Sequence, residues 1–344
     1  MKKIGFLSFG HWQAIPGSEV RTGADSLRQT VELAVGAEAI GIDGAFVRVH
    51  HFAPQLASPF PLLAAIGART SRIEFGTAVI DMRYENPLYM AEDAAAADLI
   101  GGGRMQLGIS RGSPEPALRG WEAFGYASDD DPVGANLARR HAEVFRQAIA
   151  GAPVVEADPK MTGGRRGGLA IQPQSPGLSD RIWWGAGTRQ TAVWAAEQGM
   201  NLMSSTLLTE DTGVPFDQLQ AEQLSMFREA WAKAGWKREP RISVSRSVIP
   251  IVDDIDRRFF GHRDGGEEDQ VGYIDGALSR FGKSYTGEPA RIAEELAKDA
   301  AVAAADTLLL TVPNQLGVAY NLKLLKAVAE HVAPAIGWRP AAGT

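Results

Sequence analysis

The 344 residues are 45% hydrophobic and 22% charged, a balance that excludes a disordered, collagenous or coiled-coil chain. With 35 basic against 41 acidic side chains the formal charge is −6, and no basic block stands ready to neutralise a phosphate backbone, so nucleic acid is not expected as a partner. The absence of cysteine removes disulfides, thiolate zinc sites, iron–sulfur clusters and cysteine nucleophiles together.

Periodicity then predicts a regular alternation. Residues 3–9 form a short apolar strand, ended by Gly10 and His11 and too short for a signal-peptide core. No run approaches the ~18 apolar residues of a membrane helix, so a soluble, cytoplasmic protein without membrane contact is expected. Helical spacing follows over 25–40, a strand over 45–49 and a helix over 59–68, with Pro59 and Pro61 in its first turn. A strand over 73–80 leads to an alanine-rich helix over 87–100, stopped by Gly101, Gly102 and Gly103. The remaining strand–helix pairs are 105–109 with 137–149, 181–186 with 188–198 and 202–205 with 216–234. Strand 241–252 precedes helix 289–304, and strand 307–312 precedes helix 318–332.

Eight strands each followed by a helix, without hairpin turns between them, predict a parallel sheet closed into a (β/α)₈ barrel. An open doubly wound sheet is the alternative. At about 150 residues per domain the length suggests two domains, but the count predicts one spanning 1–344. Two stretches fall outside the repeat: 151–180, after helix four, and 253–287, after strand seven. Both read as structureless insertions, which in compact domains are often lids.

A barrel places its active site at the C-terminal ends of the strands. Those ends carry His11-Trp12, His50-His51-Phe52, Asp81-Met82-Arg83-Tyr84, Ser110-Arg111-Gly112, Gly187-Thr188-Arg189, Ser204-Ser205 and Pro313-Asn314. Adjacent strand residues face opposite ways, so His50 and His51 do not suit one metal. They read either as a hydrogen-bonded structural pair or as one functional imidazole working near neutral pH.

Gly108-Ile109-Ser110-Arg111-Gly112 fits the G-x-S-x-G nucleophile elbow, which would make Ser110 the nucleophile of a hydrolase. An elbow needs a helix at once, however, and Pro114 and Pro116 follow instead. Gly185-Ala186-Gly187-Thr188-Arg189-Gln190, between a strand and a helix, looks like a dinucleotide fingerprint lacking its third glycine. Its helix N-terminus, Thr188 and Arg189 suit a phosphate, and Arg111 ends the neighbouring strand. Gly282-Lys283-Ser284 is not a Walker A ending, because five residues instead of four separate it from Gly276.

Three blocks together resemble the bacterial luciferase-like flavin monooxygenases: Val47-Arg48-Val49-His50-His51-Phe52, Gly76-Thr77-Ala78-Val79-Ile80 with Asn86-Pro87, and 103–112. The Thr188 turn and Gly287-Glu288-Pro289 fit as well, so the likeness runs along nearly the whole chain. That resemblance implies a barrel with insertions and an FMN cofactor lying against Ala78 and Val79, often over a non-prolyl cis bond between them. It implies a phosphate held by Arg111, Gly187, Thr188 and Arg189, with Thr191 in addition.

Ser110 stands beside the ring where luciferases carry a reactive cysteine, and His50 matches the catalytic histidine. Val49 replaces the acid that luciferases place before the histidine pair. The implied reaction is monooxygenation of a small organic substrate by dioxygen through a flavin hydroperoxide. Reduced FMN would come from a separate flavin reductase, and 253–287 would close over it. A homodimer through Ala64, Ala65, Ala68 and Ala94 to Ala97 is also expected. Three other readings stand beside this one: a deazaflavin-dependent hydride-transfer enzyme on the same barrel, a non-catalytic flavin-binding subunit, and the Ser110 hydrolase.

Overall fold

The computed structural model describes residues 2–112, 115–126, 131–210, 213–261, 270–274 and 277–340. Eight parallel strands close into a barrel in sequence order. They are β1 (Lys3–Ser8), β2 (Gly44–Val47), β3 (Glu74–Asp81), β4 (Met105–Ser110), β5 (Ile182–Ala186), β6 (Asn201–Ser204), β7 (Ile242–Arg246) and β8 (Thr307–Thr311). Helices cover the outer face and interior side chains the inner one, which is why the strands read as near-continuous apolar runs.

Those helices are α1 (Gly23–Ile40), α2 (Pro59–Arg69), α3 (Pro87–Ile100), α4 (Ala135–Ile149), α5 (Arg189–Glu197), α6 (Phe216–Ala234), α7 (Asp254–Phe260), α8 (Pro289–Lys298), α9 (Ala300–Ala304) and α10 (Gly317–Ala327). The β1–β8 pairing, Lys3 against Thr307 through Leu7 against Thr311, closes the cylinder.

Inside, Leu7, Phe46, Trp183, Met203 and Leu309 form a plug that Phe9, Ala78 and Val79 cover on the upper side. Below it, the Trp183 indole N–H donates to Gln106 Oε1 at 2.9 Å, and the Arg241 guanidinium lies 4.9 Å from the Trp183 ring. Arg241 binds both carboxylate oxygens of Glu74 at 3.0 and 2.9 Å, and Lys3 binds the same carboxylate at 2.5 Å. Apolar packing and an ion-paired base thus close the N-terminal end and leave chemistry to the opposite mouth.

Four expectations need correction. The run 241–252 is broken at Ser247: β7 ends at Arg246, and Val248–Pro250 leaves the barrel to pair with Tyr285–Gly287. The helix 289–304 divides at Asp299, whose carboxylate caps α9 through the Val302 N–H at 2.9 Å. Neither insertion is structureless. The first carries the hairpin Val155–Glu156 with Gly168–Leu169. The second carries α7 and a hairpin, Gln270–Ile274 with Ala277–Phe281, that extends onto Leu207–Leu208 after β6. Residues 262–269 and 275–276 of that insertion, and Pro114, lie outside the described residues. The α3 alanines offered to a second copy are spent internally, since Ala94, Ala95 and Ala97 are buried.

Candidate active site

The floor of the mouth is set by an irregularity in β3. Thr77 pairs with Leu107 of β4, but the next pair is Ile80 with Ile109, so Ala78 and Val79 leave the regular register. The peptide bond between them is cis, at the position the resemblance implies. Thr77 Oγ1 donates to the Gly108 carbonyl at 2.7 Å and ties this segment to β4. Glycine is required beneath it: a Cβ on Gly108 would stand 2.3 Å from the Thr77 carbonyl oxygen and 3.0 Å from Val79 Cγ1. A Cβ on Gly185 would stand 3.2 Å from Val79 Cγ1 and 3.3 Å from Ser110 Cβ. Val79, Ser110 and Gly185 are therefore neighbours, and Ala78 and Val79 form a half-buried apolar platform.

Beside the platform, β5 turns into α5. Thr188 is the N-cap: its Oγ1 accepts the Thr191 N–H at 3.1 Å and donates to Thr191 Oγ1 at 2.8 Å. Among the described residues, the N–H groups of Gly187 and Thr188 have no hydrogen-bond acceptor. A Cβ on Gly187 would meet only the Leu207 carbonyl oxygen, at 3.9 Å, so the space above the turn is open. Free amides at a helix N-terminus with open space above them fit a phosphate.

Arg189 behaves differently from the resemblance. Its guanidinium is held by Glu210 at 3.0 Å and Glu222 at 2.9 Å, so its charge is already balanced. Arg111 is exposed at the end of β4.

The histidine pair divides its roles. His51 is buried, its ring stacked on Tyr84 with centroids 4.2 Å apart and met edge-on by Phe124 at 5.3 Å. His50 faces Glu115, a carboxylate that sequence reasoning missed. Glu115 Oε1 lies 3.8 Å from His50 Nδ1 and accepts the His51 backbone N–H at 3.1 Å. Glu115 Oε2 is buried, and the Tyr84 hydroxyl neighbours the same carboxylate.

Burial, followed by the charges of Arg48, His11 and His51, pulls His50 down to about 4, so the ring is neutral at neutral pH. An acid therefore does stand beside His50, supplied by the segment after β4 and not by position 49. The one signal available was that Glu115 is a carboxylate within a few residues of a strand's C-terminal end.

Ser110 does not form a hydrolase elbow. Its Oγ accepts the Gly112 N–H at 2.8 Å, and no imidazole bonds to it among the described residues. Among the neighbouring carboxyls, Glu85 is pushed up to about 7 from 4.5 by burial first, then by Asp81 and Asp93. A carboxyl that holds its proton more tightly when folded stabilises the fold in acid, and the contribution fades as pH rises from about 4.5 through 7. Glu85→Gln is therefore expected to be more stabilising relative to the parent at pH 8.5 than at pH 5. Urea unfolding at both values measures this, and an equal difference at the two would contradict it.

Comparison with known proteins follows the same lines. The family described as luciferase-like monooxygenase matches residues 1–258. The 4-hydroxyprotoasukamycin monooxygenase of Streptomyces nodosus subsp. asukaensis is 36% identical over 90 residues, 26% of this chain and 24% of that protein. The F420-dependent glucose-6-phosphate dehydrogenase 1 of Rhodococcus jostii is 39% identical over 130 residues, 36% of each chain. Matches to such curated relatives span from 24% to 56% of the relatives' lengths. In fold, the chain resembles the oxygenating constituent of 3,6-diketocamphane monooxygenase from Pseudomonas putida, solved with FMN. The TM-score is 0.68 at 17% identity, covering 99% of this chain and 100% of that one.

Proposed function

Because the chain belongs to the luciferase-like monooxygenase family, we propose that it binds reduced FMN across the barrel mouth and uses dioxygen to oxidise a small organic substrate. The observation that carries this reading is the pairing of the half-buried apolar Ala78–Val79 platform with a turn that presents two free amides and a threonine cap. Reduced FMN held there would supply the electrons that activate dioxygen. Ala78 and Val79 would support the ring, with Ser110 beside them offering a hydroxyl in place of a thiol. Gly187, Thr188 and Thr191 would take the phosphate with Arg111, while Arg189 would orient the turn through its two carboxylates. His50, neutral and facing Glu115, would accept or return a proton at Nδ1 or Nε2.

A deazaflavin reading draws on the F420-dependent relatives. On the FMN reading a separate flavin reductase supplies the reduced cofactor, and two copies associate in a cytoplasmic homodimer.

The test is direct. Purified chain is titrated with FMN and with F420, and dioxygen uptake is followed after photoreduction of the bound cofactor in the presence of candidate substrates. Tighter binding of F420, or electrons passing to substrate without oxygen uptake, would replace this proposal by the hydride-transfer one. Arg111→Ala is expected to weaken FMN by about fivefold or more, ~1 kcal/mol, through loss of a charge-assisted phosphate contact. An unchanged dissociation constant would remove Arg111 from the site.

A further inference from the structure

The turn after β5 is held from behind by a buried amide, and we infer that Gln223 of α6 is the positioning residue that, together with the Thr209 N–H, aims its free N–H groups at the phosphate. The inference rests on the FMN reading above and adds to it how the cradle keeps its shape. Gln223 is fully buried, and its Nε2 donates to the Thr188 carbonyl at 2.9 Å and to the Ala186 carbonyl at 3.3 Å. The carbonyl between them, Gly187, accepts the Thr209 N–H at 3.0 Å. Three consecutive carbonyls are thus bonded, by Gln223 of α6 and by the Ser205 and Thr209 N–H groups of the loop after β6.

A trans peptide unit is planar, with its C=O and the next N–H pointing in opposite directions. Fixing the Ala186 carbonyl therefore fixes the Gly187 N–H on the other side of the turn. Fixing the Gly187 carbonyl does the same for the Thr188 N–H. These are the two amides that find no acceptor among the described residues.

The orientation of the Gln223 amide is itself determined. Its Oε1 accepts from the Ser204 hydroxyl, whose Oγ accepts from Gln220 Nε2 at 2.8 Å, and turning the amide over would set its oxygen against the Ala186 and Thr188 carbonyls, acceptor against acceptor. A buried glutamine that merely satisfied itself could bond any carbonyl. This one bonds the two that flank Gly187.

FMN and riboflavin differ only in the phosphate, so their affinities for the full chain separate an effect on the turn from an effect on the fold. The parent chain is expected to bind FMN at least tenfold more tightly than riboflavin. Gln223→Leu should cut that preference at least fivefold while riboflavin binding changes by less than twofold. Gln223→Asn, which withdraws the donor by one methylene and keeps a polar group, should do the same if the leucine variant fails to fold.

A preference that survives in the folded variant, or FMN and riboflavin weakening in parallel, would overturn the inference and leave the phosphate reading standing. A parent chain that does not distinguish the two ligands would remove the phosphate reading, and this inference with it.

Discussion

Asp299→Ala is expected to cost about 3–5 kcal/mol of stability, the range for breaking one side of a buried ion pair. Asp299 and Arg246 are each only 3% exposed. Arg246 Nε reaches Asp299 Oδ2 at 2.7 Å and Nη2 reaches Oδ1 at 3.0 Å. The same carboxylate accepts the Tyr285 hydroxyl at 2.7 Å and caps α9 through Val302. Truncation would leave a guanidinium buried without its counter-charge, a phenol without an acceptor and a helix without its cap. Each loss alone is of order 1 kcal/mol or more.

Exposed pairs such as Lys326 with Glu330, 3.8 Å apart one helical turn along the chain, offer a contrast, since Glu330→Ala should change stability by less than about 0.5 kcal/mol. Burial pushes the Asp299 carboxyl up, but Arg246 and Tyr285 outweigh it and hold the group below its ordinary value of 3.8. A carboxylate favoured in the folded state stabilises at neutral pH, and that contribution is lost as pH falls below about 3.8. Urea unfolding of parent and variant at pH 7 measures the loss; less than about 1.5 kcal/mol would mean that water, and not Asp299, is the main partner of Arg246.

This pair also shows where the sequence stops being informative. Strand count, order and closure were legible because parallel strands buried on both faces leave continuous apolar runs, and glycines mark the helix ends. Strand-end reading gathered Ser110 and Thr188 because barrel topology sends every strand end to one mouth, whereas Val79 was reached only through the resemblance. The break at Asp299 was not legible: its cause is Arg246, 53 residues earlier, and helix propensity has no access to so distant a partner.

Ser247 likewise gives no local signal that β7 ends there, since Val248–Pro250 continues the apolar pattern while pairing with Tyr285–Gly287. Glu115 lay outside any motif, and Gln223 looks like an ordinary polar residue on a helix until its burial is known. Arg189 was assigned from its place at the helix N-terminus and from likeness. Glu210 and Glu222, 21 and 33 residues away, decide what its guanidinium does.

Turnover is where the second large effect is expected. His50→Gln should lower kcat by about 10² to 10⁴, the range supplied by a positioned acid–base group, while FMN affinity stays within a few fold. The histidine faces Glu115 at the β2 end of the mouth, whereas the turn residues assigned to the phosphate follow β5. With its value pulled to about 4, His50 is neutral over the whole physiological range, so a proton can be taken up without first being lost. The parent's kcat should accordingly be flat from about pH 6 to 8 and fall toward pH 4 as the ring becomes protonated beforehand.

Gln at position 50 keeps polarity and approximate size but cannot titrate, so the acid limb should disappear along with most of the rate. Glu115→Gln removes the carboxylate that would balance an imidazolium formed in passing, and is expected to lower kcat by less than the histidine variant while retaining the acid limb. Stopped-flow turnover across pH 4 to 8 for the three chains decides the matter. An acid limb that persists in His50→Gln would assign the ionisation to another group, and His51 or His11 would become the residue to test, since burial lowers both. A kcat unchanged in His50→Gln would mean that the imidazole beside Glu115 serves the architecture of the mouth and not the proton transfer.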